Sequence, residues 1–62
     1  MKYTEIERKL KKAGCYKDGE MGGHPLWYSP ITGKLFKMSH HKSHEVAYGT
    51  LKSISKDSGV KL

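Results

Sequence analysis

The stretch LWYSPITGKLFKMS, residues 26–39, decides the fold of this chain. Its first four residues, 26–29, are rich in strand formers, and LFKMS at 35–39 is a second run of the same kind. Between them SPITGK, residues 29–34, carries proline and glycine in an order typical of a turn. The pattern predicts two antiparallel strands, joined by a short third strand at 15–17, ahead of the glycine-rich segment.

The segment before these strands, YTEIERKLKKAG at residues 3–14, has helical periodicity. We predict Thr4 as the N-cap, with Glu7 three residues later completing a capping box. Gly14 supplies the left-handed stop. The residues that share the apolar face of this helix are Ile6, Leu10 and Ala13.

The last segment also reads as a helix, ending at Gly59. Its start is open between an early cap at Ser43 and a later beginning at Gly49. The residues predicted to share its packed face are Ala47, Leu51, Ile54 and Ser58.

The predicted order is therefore helix, three strands, helix, in one α+β domain that spans residues 1–62. A three-stranded antiparallel sheet backed by two helices buries both helical stripes and leaves the other sheet face open. Trp27 and Tyr28 must point to opposite faces, so one ring joins the core and the other lies on the open face, where it can stack on an unpaired base. We expect Trp27 and Phe36 in the core, although the sequence does not decide between Trp27 and Tyr28.

Composition narrows the class of function. One cysteine, Cys15, allows no internal disulfide and no four-cysteine zinc site, and we expect it to be a buried strand residue. The charged N-terminus has no apolar segment of the kind found in a secretory signal or a spanning helix, which favours the cytoplasm. A net charge of +6 favours polyanionic partners, either nucleic acid or an acidic protein.

His24 stands directly after Gly22 and Gly23 and directly before Pro25. Glycines permit close approach of the backbone to a bulky ligand, and proline restricts the chain that follows. Metal-free RNA cleavage needs a base for the ribose 2′-OH, an acid for the leaving oxygen and positive charge near the phosphate, and histidine serves either proton role. The alternative is a turn histidine with no chemical task.

Basic side chains near the predicted strands are candidates for phosphate contacts. Lys34 and Lys37, on the strand opposite LWYS, could face a phosphate-binding groove, or could be solvated lysines on an edge strand. The segment SHHKSH, residues 39–44, lacks the cysteines or carboxylates that would complete a metal shell, so we predict no metal site and no cofactor. Its histidines could instead contact phosphate where the loop enters the last helix.

The order and spacing of short motifs resemble the HicA family of toxin mRNA interferases over nearly the whole chain. The matching positions are Gly14, the Gly22-Gly23-His24 motif, Gly33, His40, the Gly49-Thr50-Leu51 start of the last helix, and Gly59-Val60. The family usually has serine or threonine at the position of Gly23, so a hydroxyl that could contact phosphate is missing here.

The resemblance implies a fold like that of double-stranded-RNA-binding domains. It also implies a toxin of a type II toxin–antitoxin module: an endoribonuclease that cleaves mRNA with His24 as catalytic residue and is neutralised by a HicB-type antitoxin. The candidate RNA-binding residues are Gly22, Gly23, Lys34, Lys37 and His40. The alternatives are a non-catalytic RNA-binding module of the same fold and an adaptor whose basic surface docks an acidic protein.

Overall fold

The structure, a computed structural model, describes all of residues 1–62. It contains two helices and three strands in the predicted order. Their bounds are α1 Tyr3–Lys12, β1 Tyr16–Met21, β2 His24–Ser29, β3 Lys34–Lys37 and α2 Tyr48–Ser58. The strands form one antiparallel sheet in the order β1-β2-β3, which confirms the predicted fold class.

The β1–β2 hairpin closes through a two-residue turn made of Gly22 and Gly23. Met21 and His24 are paired across it, and the two glycines have φ angles of 59° and 78°. A turn with positive φ at both central residues matches the twist of its strands, and glycine adopts it without steric cost. β1 is longer than the predicted 15–17, because the pairing register shifts between Lys17 and Glu20 and then resumes up to the turn.

The core lies between the helices and one face of the sheet. Trp27 and Phe36 are paired across β2 and β3, and their side chains are 3% and 4% exposed, as predicted. The buried hydrophobic residues are Ile6, Leu10, Cys15, Trp27, Phe36, Met38, Val46 and Ile54. Helices and sheet together thus supply the core, and the second sheet face is left without a covering layer.

The start of α1 differs from the prediction, and the capping assignment of Thr4 and Glu7 was wrong. The N-cap is Lys2, whose backbone N–H donates to the Glu5 carboxylate at 3.2 Å. The Thr4 hydroxyl instead donates to the carbonyl of Lys42 at 2.7 Å, and Glu7 is buried. The Thr4 hydroxyl therefore makes a tertiary contact with the later loop, and the local cap of α1 lies two residues earlier, at Lys2.

The ends of the helices were partly predicted. Gly14, with a φ of 100°, and Gly59, with a φ of 73°, adopt the expected left-handed conformation. Ala13 and Ala47, however, are exposed cap residues and do not belong to the packed faces. α2 begins at Tyr48, between the two predicted starts, and buries Ile54 and Ser58 as expected.

The N-terminal residues hold the loop between β3 and α2. Lys2 forms an isolated antiparallel bridge with Glu45, and the Val46 N–H donates to the Met1 carbonyl at 2.9 Å. The Met1 ammonium lies 2.7 Å from a Glu45 carboxylate oxygen and lowers the pKa of that carboxyl, first by its hydrogen bond and then by its charge. The loop between β3 and α2, which contains three of the four histidines, is therefore bound to the residues at the start of α1.

Gly59 closes α2 against the β2–β3 turn, and replacing it with alanine should destabilise the fold by about 1–3 kcal/mol. A Cβ there would lie 2.8 Å from Ile31 Cγ2 and 2.9 Å from Thr32 Cγ2, on a backbone whose φ of 73° alanine resists. Urea denaturation measures the effect. Gly49→Ala is the matched control: no atom lies within 4 Å of its Cβ position and its φ is ordinary, so it should stabilise by up to about 1 kcal/mol. Equal effects of the two substitutions would contradict this account of the cap.

Candidate nucleic-acid interface

The face of the sheet that the helices leave uncovered is called the open face below. Strand registers and the alternation of side chains assign its members. They are Tyr16 and Met21 of β1, His24, Leu26 and Tyr28 of β2, and Leu35 and Lys37 of β3. Among these seven positions, His24 and Lys37 are the only ones that can carry positive charge. Asp18 is an exposed acid in the irregular part of β1, for which the register gives no partner.

The open face carries the aromatic side chain that the sequence left undecided. Trp27 is in the core, whereas Tyr28 is half-buried and packs against Tyr16, which is 51% exposed. The two ring centroids are 5.5 Å apart at an interplanar angle of 48°. Such a separation is typical of a favourable aromatic pair.

His24 is the first residue of β2 and follows the glycine turn directly. Its side chain is exposed on the open face, while the next residue, Pro25, is buried on the opposite face. Strand pairing to Met21 on one side and the buried proline on the other fix the backbone on which the imidazole stands. The result is an accessible ring on a rigid base.

The two candidate lysines of β3 lie on opposite faces. Lys37 pairs with Leu26 and is an exposed member of the open face, one diagonal position from His24. Lys34 pairs with Ser29 at the far end of the sheet and points to the helix-covered side. The sheet therefore brings Lys37 to the side of His24 and does not bring Lys34 there.

His40 lies on the helix-covered side as well. Its Nε2 atom is 3.4 Å from Glu20 Oε1, and the same carboxylate oxygen is 3.3 Å from Lys17 Nζ. Lys17 and His40 also line a pocket of about 200 Å³. Its lining residues are Glu7, Lys11, Lys17, Pro25, Trp27, His40 and Lys42. His40 therefore stands in a mixed-charge pocket apart from His24.

The other histidines of the loop pack on each other. The rings of His41 and His44 are stacked with centroids 4.8 Å apart, and both side chains are exposed. Nowhere do three histidine, cysteine, aspartate or glutamate side chains come together in a way that would hold a metal ion.

A groove of about 500 Å³ connects the open face with α2. The open-face residues that line it are Met21, Leu26, Leu35 and Lys37, and α2 contributes Thr50, Ser53, Ile54 and Asp57. Phe36 of β3 completes the lining, so the groove passes the outer edge of that strand. The open face thus continues into an apolar groove beside Lys37.

Three residues of the open face were not predicted from the sequence as site residues. They are Tyr16, Met21 and Leu35, and each is more than half exposed. Their positions along the strands could have placed these residues on the open face. Once the register is known, alternation places Tyr16 beside Tyr28 and Leu35 on its other side. The irregular pairing of β1 hid that register in the sequence.

A comparison with known protein families gave a match over nearly the whole chain. The model of a family described as "HicA toxin of bacterial toxin-antitoxin" matches residues 3–60. A search of curated proteins and a search of solved structures each gave no match. Neither helix combines the length and the apolar character that crossing a membrane requires. Because the match covers nearly the whole chain, from the start of α1 to the residue after Gly59, this protein belongs to the HicA toxin family of bacterial toxin–antitoxin systems.

Proposed function

We propose that this toxin is a metal-independent endoribonuclease that cleaves mRNA, with His24 as the catalytic residue. The observation that carries the proposal is the position of His24: exposed on the open face, on a rigid hairpin, with Lys37 on the same face. A ring in this position can reach the backbone of a bound RNA strand, and a nearby ammonium attracts its phosphates.

The chemistry requires no external nucleophile. The ribose 2′-oxygen attacks the adjacent phosphorus, and the bond from phosphorus to the 5′-oxygen of the next nucleotide breaks. His24 either removes the 2′-OH proton or protonates the leaving oxygen, because an imidazole is suited to both tasks near neutral pH, and solvent water accepts or supplies the other proton. Lys37 stabilises the negative charge that develops on the phosphoryl oxygens. The products carry a 2′,3′-cyclic phosphate and a 5′-hydroxyl.

The glycine turn gives the RNA backbone room beside His24. No atom lies within 4 Å of the Cβ positions of Gly22 and Gly23, so the phosphate can approach the turn from the side of solvent. We assign to these residues close contact with the strand that is cut. Lys34 and His40 stand on the helix-covered side, and in this proposal they contact flanking parts of a longer RNA, away from the reacting phosphate.

A HicB-type antitoxin neutralises the toxin in this proposal by covering His24 in the cytoplasm. The family match supports a toxin–antitoxin pairing. The open face offers a partner an apolar surface, since Met21, Leu35 and Tyr16 are each more than half exposed. Exposed apolar patches of this kind commonly mark binding surfaces.

The test is cleavage of a long unstructured RNA by the purified protein in the presence of EDTA. We expect fragments whose ends are a 2′,3′-cyclic phosphate and a 5′-hydroxyl, read by enzymatic end-labelling before and after phosphatase treatment. Intact RNA would contradict the proposal. Fragments with 5′-phosphates would also contradict it, because they require an attacking water in place of the 2′-hydroxyl.

A second candidate is a non-catalytic RNA-binding module on the same fold. The net charge of +6 and the open face fit that candidate equally well. Both predict binding that weakens with salt, because lysines neutralise phosphates in either case. Stable RNA binding without any product in EDTA would favour the module.

A further inference from the structure

We propose that the open face binds single-stranded RNA by stacking an unpaired base on the ring of Tyr16. This inference rests on the proposed function for its choice of ligand, and it adds the part of the RNA that is recognised and the residue that does it. Tyr16 is the contacting residue, and Tyr28 is a positioning residue that supports its ring from the neighbouring strand.

Exposure of apolar side chains on this face is the first argument. Tyr16 and Leu35 are each 51% exposed, and they flank Tyr28 on its two sides in one row across the sheet. A chain of this length has few large apolar groups to spare from its core. Three of them in one row outside the core therefore point to a ligand with an apolar surface.

The geometry of the ring pair is the second argument. The rings of Tyr16 and Tyr28 are tilted by 48° at a centroid distance of 5.5 Å, so the half-buried Tyr28 holds Tyr16 from one side. Because Tyr16 is 51% exposed, part of its ring stays accessible to a planar ligand. Base–aromatic stacking tolerates every base, because each has a π-face, and it is how proteins bind unpaired strands.

Charge selects a nucleic acid over a purely apolar partner. The open face contains Lys37 and His24, and Glu20 of β1 points to the helix-covered side. Asp18, in the irregular part of β1, is an exposed acid beside the face, within a chain whose net charge is +6. Positive charge beside aromatic rings is the arrangement that binds single-stranded nucleic acid. The two features together give both the phosphates and the bases of one strand a partner.

The position of the ring pair relative to His24 makes the inference specific. Tyr28 follows His24 by four residues along β2, which corresponds to about 13 Å. A strand that crosses the open face would therefore have its stacked base on Tyr16 a short distance from the phosphate that meets His24. Duplex RNA cannot bind in this way, because its bases are already stacked and paired.

The experiment measures binding of a short fluorescent unstructured RNA to the His24→Ala protein in EDTA, by anisotropy, so that no cleavage interferes. Tyr16→Leu should weaken binding on the order of tenfold, and by a similar factor at low and at higher salt, because stacking involves no counterions. Tyr16→Phe should bind as tightly as the parent, because the ring is kept. Circular dichroism checks that each variant folds.

Tyr48→Leu is the matched control. Tyr48 is a tyrosine of α2 that is 73% exposed, and its ring contacts Lys52 outside the open face. The Tyr48→Leu variant should bind RNA with the same affinity as the parent protein. A fully abasic strand of the same length should bind the parent and Tyr16→Leu equally well, because it offers no base to stack.

The outcomes separate this inference from the proposed function. If the wild type cleaves RNA and Tyr16→Leu binds it as tightly as the parent does, the stacking site is wrong and the nuclease stands. If Tyr16→Leu weakens RNA binding and the wild type never cuts, the stacking site stands and the nuclease is wrong. A Tyr16→Leu variant that loses affinity for an antitoxin but not for RNA would overturn the inference, because the face would then belong to the protein partner.

Discussion

Replacing His24 with alanine is expected to lower the rate of RNA cleavage by about 10²–10⁴-fold, because it removes the group that transfers a proton in the proposed reaction. The fold should be unaffected, since the side chain is exposed and makes no contribution to the core. The rate is measured in EDTA on a defined RNA with the substrate in excess, and growth after induced expression gives a second readout. Cells that express the variant should keep growing.

The exposed histidines of the loop provide the control for this substitution. His41→Ala removes an exposed imidazole that stacks on His44 outside the open face, so cleavage should stay close to the wild-type rate. A folded His24→Ala protein that still cuts RNA or still arrests growth would refute the catalytic assignment. Equal losses from both substitutions would point to the overall positive charge of the protein and not to one proton-transfer group.

The substitution His40→Ala distinguishes a proton-transfer role of His40 from a role in holding RNA or the loop. His40 pairs with Glu20 on the side of the sheet opposite to His24. The proton roles of one reaction require groups within hydrogen-bond reach of the same phosphate. This placement favours a role in holding RNA or the loop, and it leaves Lys37 as the lysine that shares the open face with His24.

The fold could be read from the sequence because its strongest signals are local. The turn around Gly33 and the left-handed ends at Gly14 and Gly59 mark where each element stops, and all three have positive φ. The failures came from contacts between distant residues. Thr4 satisfies the carbonyl of Lys42, 38 residues away, and no local rule for helix caps contains that information.

The candidate site was predictable to a smaller extent. The glycine pair marked His24 as a residue on a sharp turn, and the structure explains the need for glycine there: both positions have positive φ. At position 23 the family usually has serine or threonine, and a left-handed φ of 78° favours glycine over either. The partition of the lysines and of the aromatic rings between two faces needed the strand register, which a bulge in β1 shifts.

Leu10→Ala should cost about 2–5 kcal/mol of unfolding free energy, because the side chain is fully buried and its loss leaves a cavity. A chain of 62 residues has a total stability of only about 3–9 kcal/mol. The substitution should therefore remove a large part of that stability, which urea denaturation or thermal melting followed by circular dichroism would detect. The matched control is Leu35→Ala, the same change at a residue that is 51% exposed on the open face, where the cost should stay below about 1 kcal/mol.

Similar costs at both sites would contradict two assignments. Leu10 of α1 would not belong to the core, and the open face would not be the exposed side of the sheet. A large cost at Leu10 alone would show that the apolar residues of the open face contribute little to folding, which leaves binding as the reason for their presence.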